Sequence, residues 1–108
     1  MSRLFRLLLI FLLTPFAASA AEDACKALAS TARSAALEVE ATRQVSGSGR
    51  LQFYSAPSEA CPIKGLFVVP GDRLDAHLTF EDFVLASYTN PKTGKKVEGW
   101  VDGKRLHE

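Results

Sequence analysis

Leu66-Phe67-Val68-Val69, Pro70-Gly71-Asp72, Arg73-Leu74-Asp75-Ala76-His77-Leu78-Thr79: the reading of this stretch decides the fold class. Four consecutive apolar residues, two of them valines, suit a strand. Pro70-Gly71-Asp72 then makes a turn: proline presets φ, glycine frees it and aspartate bonds to nearby backbone. Beyond the turn, Leu74, Ala76 and Leu78 alternate with Asp75, His77 and Thr79. That is the period of a strand with one buried face.

The same grammar extends in both directions. Arg50–Tyr54 is short and alternating, and Ser55-Ala56-Pro57-Ser58 with Cys61-Pro62 forms a loop after it. Downstream, Glu81-Asp82 is a tip, and Phe83–Thr89 places Val84, Ala86 and Tyr88 on one face. Asn90-Pro91-Lys92-Thr93-Gly94 is a hairpin turn, Lys96–Val101 a strand carrying Trp100, and Asp102-Gly103-Lys104-Arg105 a tight turn before Leu106. Short strands separated by turn signals predict a mainly β domain, a small five-stranded barrel over residues 50–108.

A different period precedes it. Cys25, Leu28, Ala32, Ala35, Ala36 and Val39 recur at spacings of three and four. This alanine-rich spacing predicts one N-terminal α-helix, Glu22–Thr42, within a segment 21–44. Its last part has a competing reading, because Leu37-Glu38-Val39-Glu40-Ala41 also alternates with period two. Val45-Ser46-Gly47-Ser48-Gly49 separates this segment from the strands.

Residues 1–20 read as a secretory signal. Arg3 and Arg6 precede the apolar run Leu7–Leu13, and Ala18-Ser19-Ala20 is a small-residue cleavage site. The run is too short for the about 20 residues of a membrane span. Glu22-Asp23-Ala24 before Cys25 does not suit lipid attachment. The expected location is the bacterial periplasm, with 88 of the 108 residues remaining and no stable membrane span. The whole sequence carries a formal charge of +1; without Arg3 and Arg6 it is −1. That balance argues against a nucleic-acid partner, which calls for a basic excess.

Cys25 and Cys61 are the two cysteines of the chain. In an oxidising compartment such a pair reads first as a disulfide. Closing a loop of this size stabilises a small domain by about 3–4 kcal/mol. A nucleophilic Cys61 would need an activating histidine, and His77 and His107 are the only histidines. His107 is the second-last residue and is expected to be mobile, and His77 lies on the polar side of its strand, expected exposed.

Other chemistry is sparse. Two cysteines and two histidines at scattered spacing make no zinc pattern, and no cofactor is expected. Pro91-Lys92-Thr93-Gly94-Lys95-Lys96 lacks the first glycine and the Ser or Thr of a phosphate loop, and reads as a solvated hairpin. Asp72 with Asp75, or Glu81 with Asp82, could pair as carboxylates but suit turns and a charged tip better. The chain is expected not to be an enzyme, with no catalytic or metal-binding residues.

Gly49–Leu106 resembles a bacterial SH3-like domain. The matching pieces are Leu51-Gln52-Phe53-Tyr54-Ser55-Ala56-Pro57-Ser58, Val69-Pro70-Gly71-Asp72-Arg73-Leu74, and Gly99-Trp100-Val101 followed by Leu106. Where the family carries tryptophan before its fourth strand, this chain carries Phe83. The helix and the cysteine pair lie outside the resemblance. It implies a binding module for peptide, cell-wall material such as peptidoglycan, or a protein, here expected to be most of the exported chain. An alternative is an inhibitor or immunity protein against a toxin or a cell-wall hydrolase such as a lysozyme. The family's ligand groove falls on Tyr54 and Phe83, with Trp100 near the final strand. Lys92, Lys95 and Lys96 on the hairpin are placed to steer an acidic partner.

Overall fold

The structure, a computed structural model, describes residues 16–108, with side chains from Ala20 onward. Most of the expected export signal lies outside the described residues. An N-terminal helix, α1 (Phe16–Ala35), leads into seven strands: β1 (Leu37–Val45), β2 (Leu51–Tyr54), β3 (Pro62–Val68), β4 (Arg73–Phe80), β5 (Phe83–Thr89), β6 (Lys96–Asp102) and β7 (Leu106–His107). They form one antiparallel sheet in the order β3-β2-β6-β5-β4-β1-β7, curled into a half-barrel. No described helix is long and apolar enough to cross a membrane.

The mainly β architecture with one N-terminal helix agrees with the sequence; the strand count of five does not. Two strands are added. The helix expected over Glu22–Thr42 stops at Ala35, where Ala36 N donates to Ala32 O at 2.8 Å. The remainder is β1, paired with β4 from Leu37↔Thr79 to Gln44↔Arg73. Helix propensity is a weak bias, and an unpaired β4 edge offers backbone hydrogen bonds along the whole segment. The period-two reading of Leu37–Ala41 therefore prevails. The second addition is β7, where His107 pairs with Gln44 rather than hanging free. It follows the short 3-10 turn Gly103–Arg105, capped by Asp102 Oδ1, which accepts from Lys104 N at 3.0 Å. β3 also begins earlier than Leu66, at Pro62 within the expected loop.

Inside the curl lies a core of Val45, Leu51, Phe53, Val68, Leu74, Ala86 and Val101, flanked by Ile63, Leu66, Val84, Tyr88 and Leu106. Full burial of a side chain such as Phe53 contributes up to about 3 kcal/mol. Gly99 lets the curl close: a Cβ there would stand 2.9 Å from Phe53 Cδ1 and 3.1 Å from Tyr54 O. Gln52 bridges the irregular β2–β3 pairing, its Nε2 donating to Ile63 O (2.7 Å), Phe53 O (2.8 Å) and Leu66 O (3.0 Å). Those carbonyls fall where the ladder is interrupted, so the side chain supplies bonds the backbone does not.

A second cluster covers the outer face, where Ala32 of α1 packs with Leu85 and Trp100 among Ala36, Tyr54, Leu78, Phe80 and Phe83. The alternation Leu74, Ala76, Leu78 predicted one buried face, but the chain divides these residues. Leu74 lies in the inner core and Leu78 in the outer cluster. The β4–β5 register shifts between Ala76 and Leu78, where His77 is the extra residue. A bulge reverses the parity of everything beyond it. That reversal sends Leu78 and Phe80 outward to meet the helix.

Cys25 and Cys61 form a disulfide across a sequence separation of 36, with Cα atoms 5.9 Å apart. It pins α1 to the loop after β2. Between those anchors the helix presents mostly methyl groups, which allow close approach to the sheet.

Candidate functional site

Adjacent residues of a strand point to opposite faces. Phe53 accordingly enters the inner core and Tyr54 the outer cluster. Tyr54 pairs with Trp100 in register on β6, and Phe83 begins β5 opposite Phe80. The sheet thus brings the three predicted aromatics to one side, but in unequal positions. Trp100 is 1% exposed in contact with the Ala32 cluster, which makes it a packing residue while the helix is docked. Tyr54 and Phe83 are half-buried and meet edge to face, their ring centroids 5.7 Å apart at 87°. That geometry aligns a positive ring edge with a negative ring face. Phe83 also belongs to the helix-side cluster, so it has a packing role whatever binds beside it.

The rim of this aromatic shelf is acidic. A hollow of about 140 Å³ is lined by Tyr54, Phe83, Glu59, Asp82, Asp102 and Lys104. Three carboxylates face one ammonium, and Lys104 Nζ stands 3.8 Å from Asp82 Oδ2. The β4–β5 turn sets Asp82 there: Glu81 takes φ 53°, a left-handed conformation uncommon for a residue with a side chain. Gly103 N in turn donates to Asp82 O at 2.8 Å, tying the tip to the end of β6. Small-molecule pockets run to about 300–1,000 Å³. This hollow is smaller and suits one cationic side chain of a larger partner.

A polar trio occupies the bulged part of the same face. His77 Nε2 and Ser87 Oγ lie 2.8 Å apart, and His77 Nδ1 is 3.5 Å from Glu40 Oε2. No local pattern signals this trio, because the alternation of Arg73–Thr79 sets His77 on the polar side of a regular strand. Two bulges assemble it: β1 is irregular between Glu38 and Ala41, opposite the His77 bulge of β4. The order serine, histidine, carboxylate is that of nucleophilic relays. Ser87, however, is 1% exposed, beyond the reach of a substrate. The arrangement is a satisfied buried hydroxyl: among the described residues no buried side-chain nitrogen or oxygen lacks a partner.

The other features weighed from the sequence take turn roles. Asp72 Oδ2 accepts from Val69 N at 3.0 Å. Asn90 Oδ1 accepts from Lys92 N at 2.8 Å and Thr93 N at 3.3 Å, which shapes the lysine hairpin. A wider hollow of about 540 Å³ lies beside the disulfide. Most of its lining, including Glu22, Lys26, Ala60, Pro62 and Lys64, is exposed, so it is a shallow saddle with few convergent polar groups.

No family model matches the chain, and no curated protein or solved structure matches it significantly.

Proposed function

We propose that the chain is a non-enzymatic, SH3-like binding module of the periplasm, docking a basic segment of a protein or peptide on the Tyr54–Phe83 shelf. The observation that carries this reading is the combination of an edge-to-face aromatic pair with Glu59, Asp82 and Asp102 around it. Aromatic side chains supply contact area at low entropy cost, and carboxylates at the rim select and steer a cationic partner. The export signal expected over residues 1–20 and the resemblance of Gly49–Leu106 to SH3-like domains support the same reading. Inhibition of a basic cell-wall hydrolase would use the same shelf and differ only in the partner.

Binding is to be measured with three probes: a basic lysozyme, a proline-rich peptide containing lysine, and purified cell-wall sacculi. Glu59→Lys with Asp82→Lys reverses two exposed charges without touching the core. At an effective dielectric between surface and bulk values each reversal is worth about 1 kcal/mol, so affinity for the basic probe falls about tenfold or more. Phe83→Ala lowers it further, by about 1–3 kcal/mol per folded molecule. Unchanged affinity in both variants, or binding to sacculi alone, refutes a basic protein ligand at this shelf.

A further inference from the structure

The β3 end of the sheet offers a second, chemically different site. β3 (Pro62–Val68) is the terminal strand, so among the described residues one of its two edges has no strand beside it. An unpaired edge is a template for another extended chain unless charge, proline or a bulge blunts it. Here Pro62, Lys64 and the left-handed Gly65 (φ 77°) blunt the first half of the strand, while Leu66-Phe67-Val68 keeps a regular edge. Phe67 is 38% exposed, among the most exposed large apolar residues described.

This half of β3 borders a groove of about 250 Å³ that reaches the base of the β5–β6 hairpin. Leu66, Phe67, Tyr88 and Val97 supply its apolar lining, with Asn90 and Lys95 among its polar residues. Leu66 and Tyr88 pack against the inner core, placing the groove at the mouth of the curl, away from the helix-side shelf. Among the described residues no carboxylate lines it. Arg50 lies over the Phe67 ring, its guanidinium carbon 4.1 Å from the centroid, and Lys95 stands at the hairpin end. Among the described residues, the ion pairs are Arg33–Glu98, His77–Glu40 and Lys104–Asp82, so neither cation is compensated.

The volume is below that of a small-molecule pocket and is enough for one or two side chains. Hydrophobic depth, a free strand edge and uncompensated cations together specify an occupant. We propose that this groove binds an extended acidic segment of a partner protein, added as a strand along β3. One apolar side chain of that segment enters between Phe67 and Tyr88, and its Asp or Glu residues meet Arg50 and Lys95. Strand addition takes affinity from the main chain and specificity from alternate side chains. A nucleic acid matches the cations but has no amides for the strand edge, which decides for a peptide.

The test uses fluorescence anisotropy with a labelled peptide of alternating glutamate and valine around a central phenylalanine. A lysine-for-glutamate version and a single-stranded oligonucleotide serve as comparison probes. The glutamate peptide is expected to bind at least about tenfold more tightly than the lysine version, and the affinity to fall as salt rises. Lys95→Glu, an exposed substitution outside the core, lowers it about tenfold, and Arg50→Glu acts in the same direction. Glu59→Lys with Asp82→Lys leaves this binding intact, which separates it from the shelf. Hydrogen exchange slows at β3 amides when the glutamate peptide is bound. Equal binding of the lysine peptide or the oligonucleotide, insensitivity to Lys95→Glu, or unchanged β3 exchange overturns the proposal.

Discussion

Replacing both cysteines, Cys25→Ser with Cys61→Ser, tests what holds helix α1 to the sheet. The bridge spans a sequence separation of 36. For a loop of that length the chain-entropy account puts it at about 3.8 kcal/mol against global unfolding. Local undocking is a different process. The sheet stays folded, the released segment is only Cys25 to Ala36, and the same relation, taken with that segment unwound, gives at most about 2.8 kcal/mol. The helix has a modest grip of its own. Ala32 is fully buried, and Cys25, Leu28, Ala29 and Ala36 are half-buried. At about 0.8 kcal/mol per buried methylene-sized group, that face contributes about 2–3 kcal/mol. Without the bridge this grip stands against up to about 2.8 kcal/mol of regained freedom, so docked and undocked helices become comparably populated.

Trp100 reports the outcome directly. It is the single tryptophan of the chain and is 1% exposed within the Ala32 cluster. The expected result is a red-shifted emission in native buffer, with the far-UV signal of the sheet retained. The inner core contains no helix residue, which is why the sheet survives. Chemical denaturation should show a loss of no more than about 4 kcal/mol. An unshifted emission with a loss below about 1 kcal/mol would falsify the reasoning, since packing alone would then hold the helix.

Other perturbations address the sheet. His77→Ala leaves the Ser87 hydroxyl buried without its 2.8 Å partner, and is expected to cost about 1–3 kcal/mol in urea denaturation. Adding Ser87→Ala should recover part of that loss; no recovery would mean that His77 acts through the bulge itself. Gly99→Ala forces a Cβ within 3.1 Å of the Tyr54 carbonyl and 2.9 Å of the buried Phe53 ring. It should destabilise by about 1–3 kcal/mol, measured as a lowered melting temperature, and a neutral result would show that β2 and β6 can separate freely.

What the sequence determined by itself was local. Pro70-Gly71-Asp72 and Asn90–Gly94 carry their turns in their own residue types. The strands between them, Arg73–Phe80 and Phe83–Thr89 above all, have the two-residue period written into neighbouring side chains. The cysteine pair was readable too, because two isolated thiols in a small chain with no zinc-type spacing most readily pair with each other. Tertiary structure alone decided the rest. Leu37–Val45 fits a helix or a strand on local grounds, and only pairing with β4 selects the strand. The bulge at His77 depends on the partner strand's register, and it moves Leu78 from the inner core to the outer cluster and joins His77 to Ser87. Trp100 resembled a ligand residue until Ala32, 68 positions away in sequence, was seen to cover it. The acidic shelf and the basic groove likewise collect side chains from separate strands. Local periodicity encodes which face of a strand is apolar; which element covers that face is settled by the long-range contacts that close the sheet.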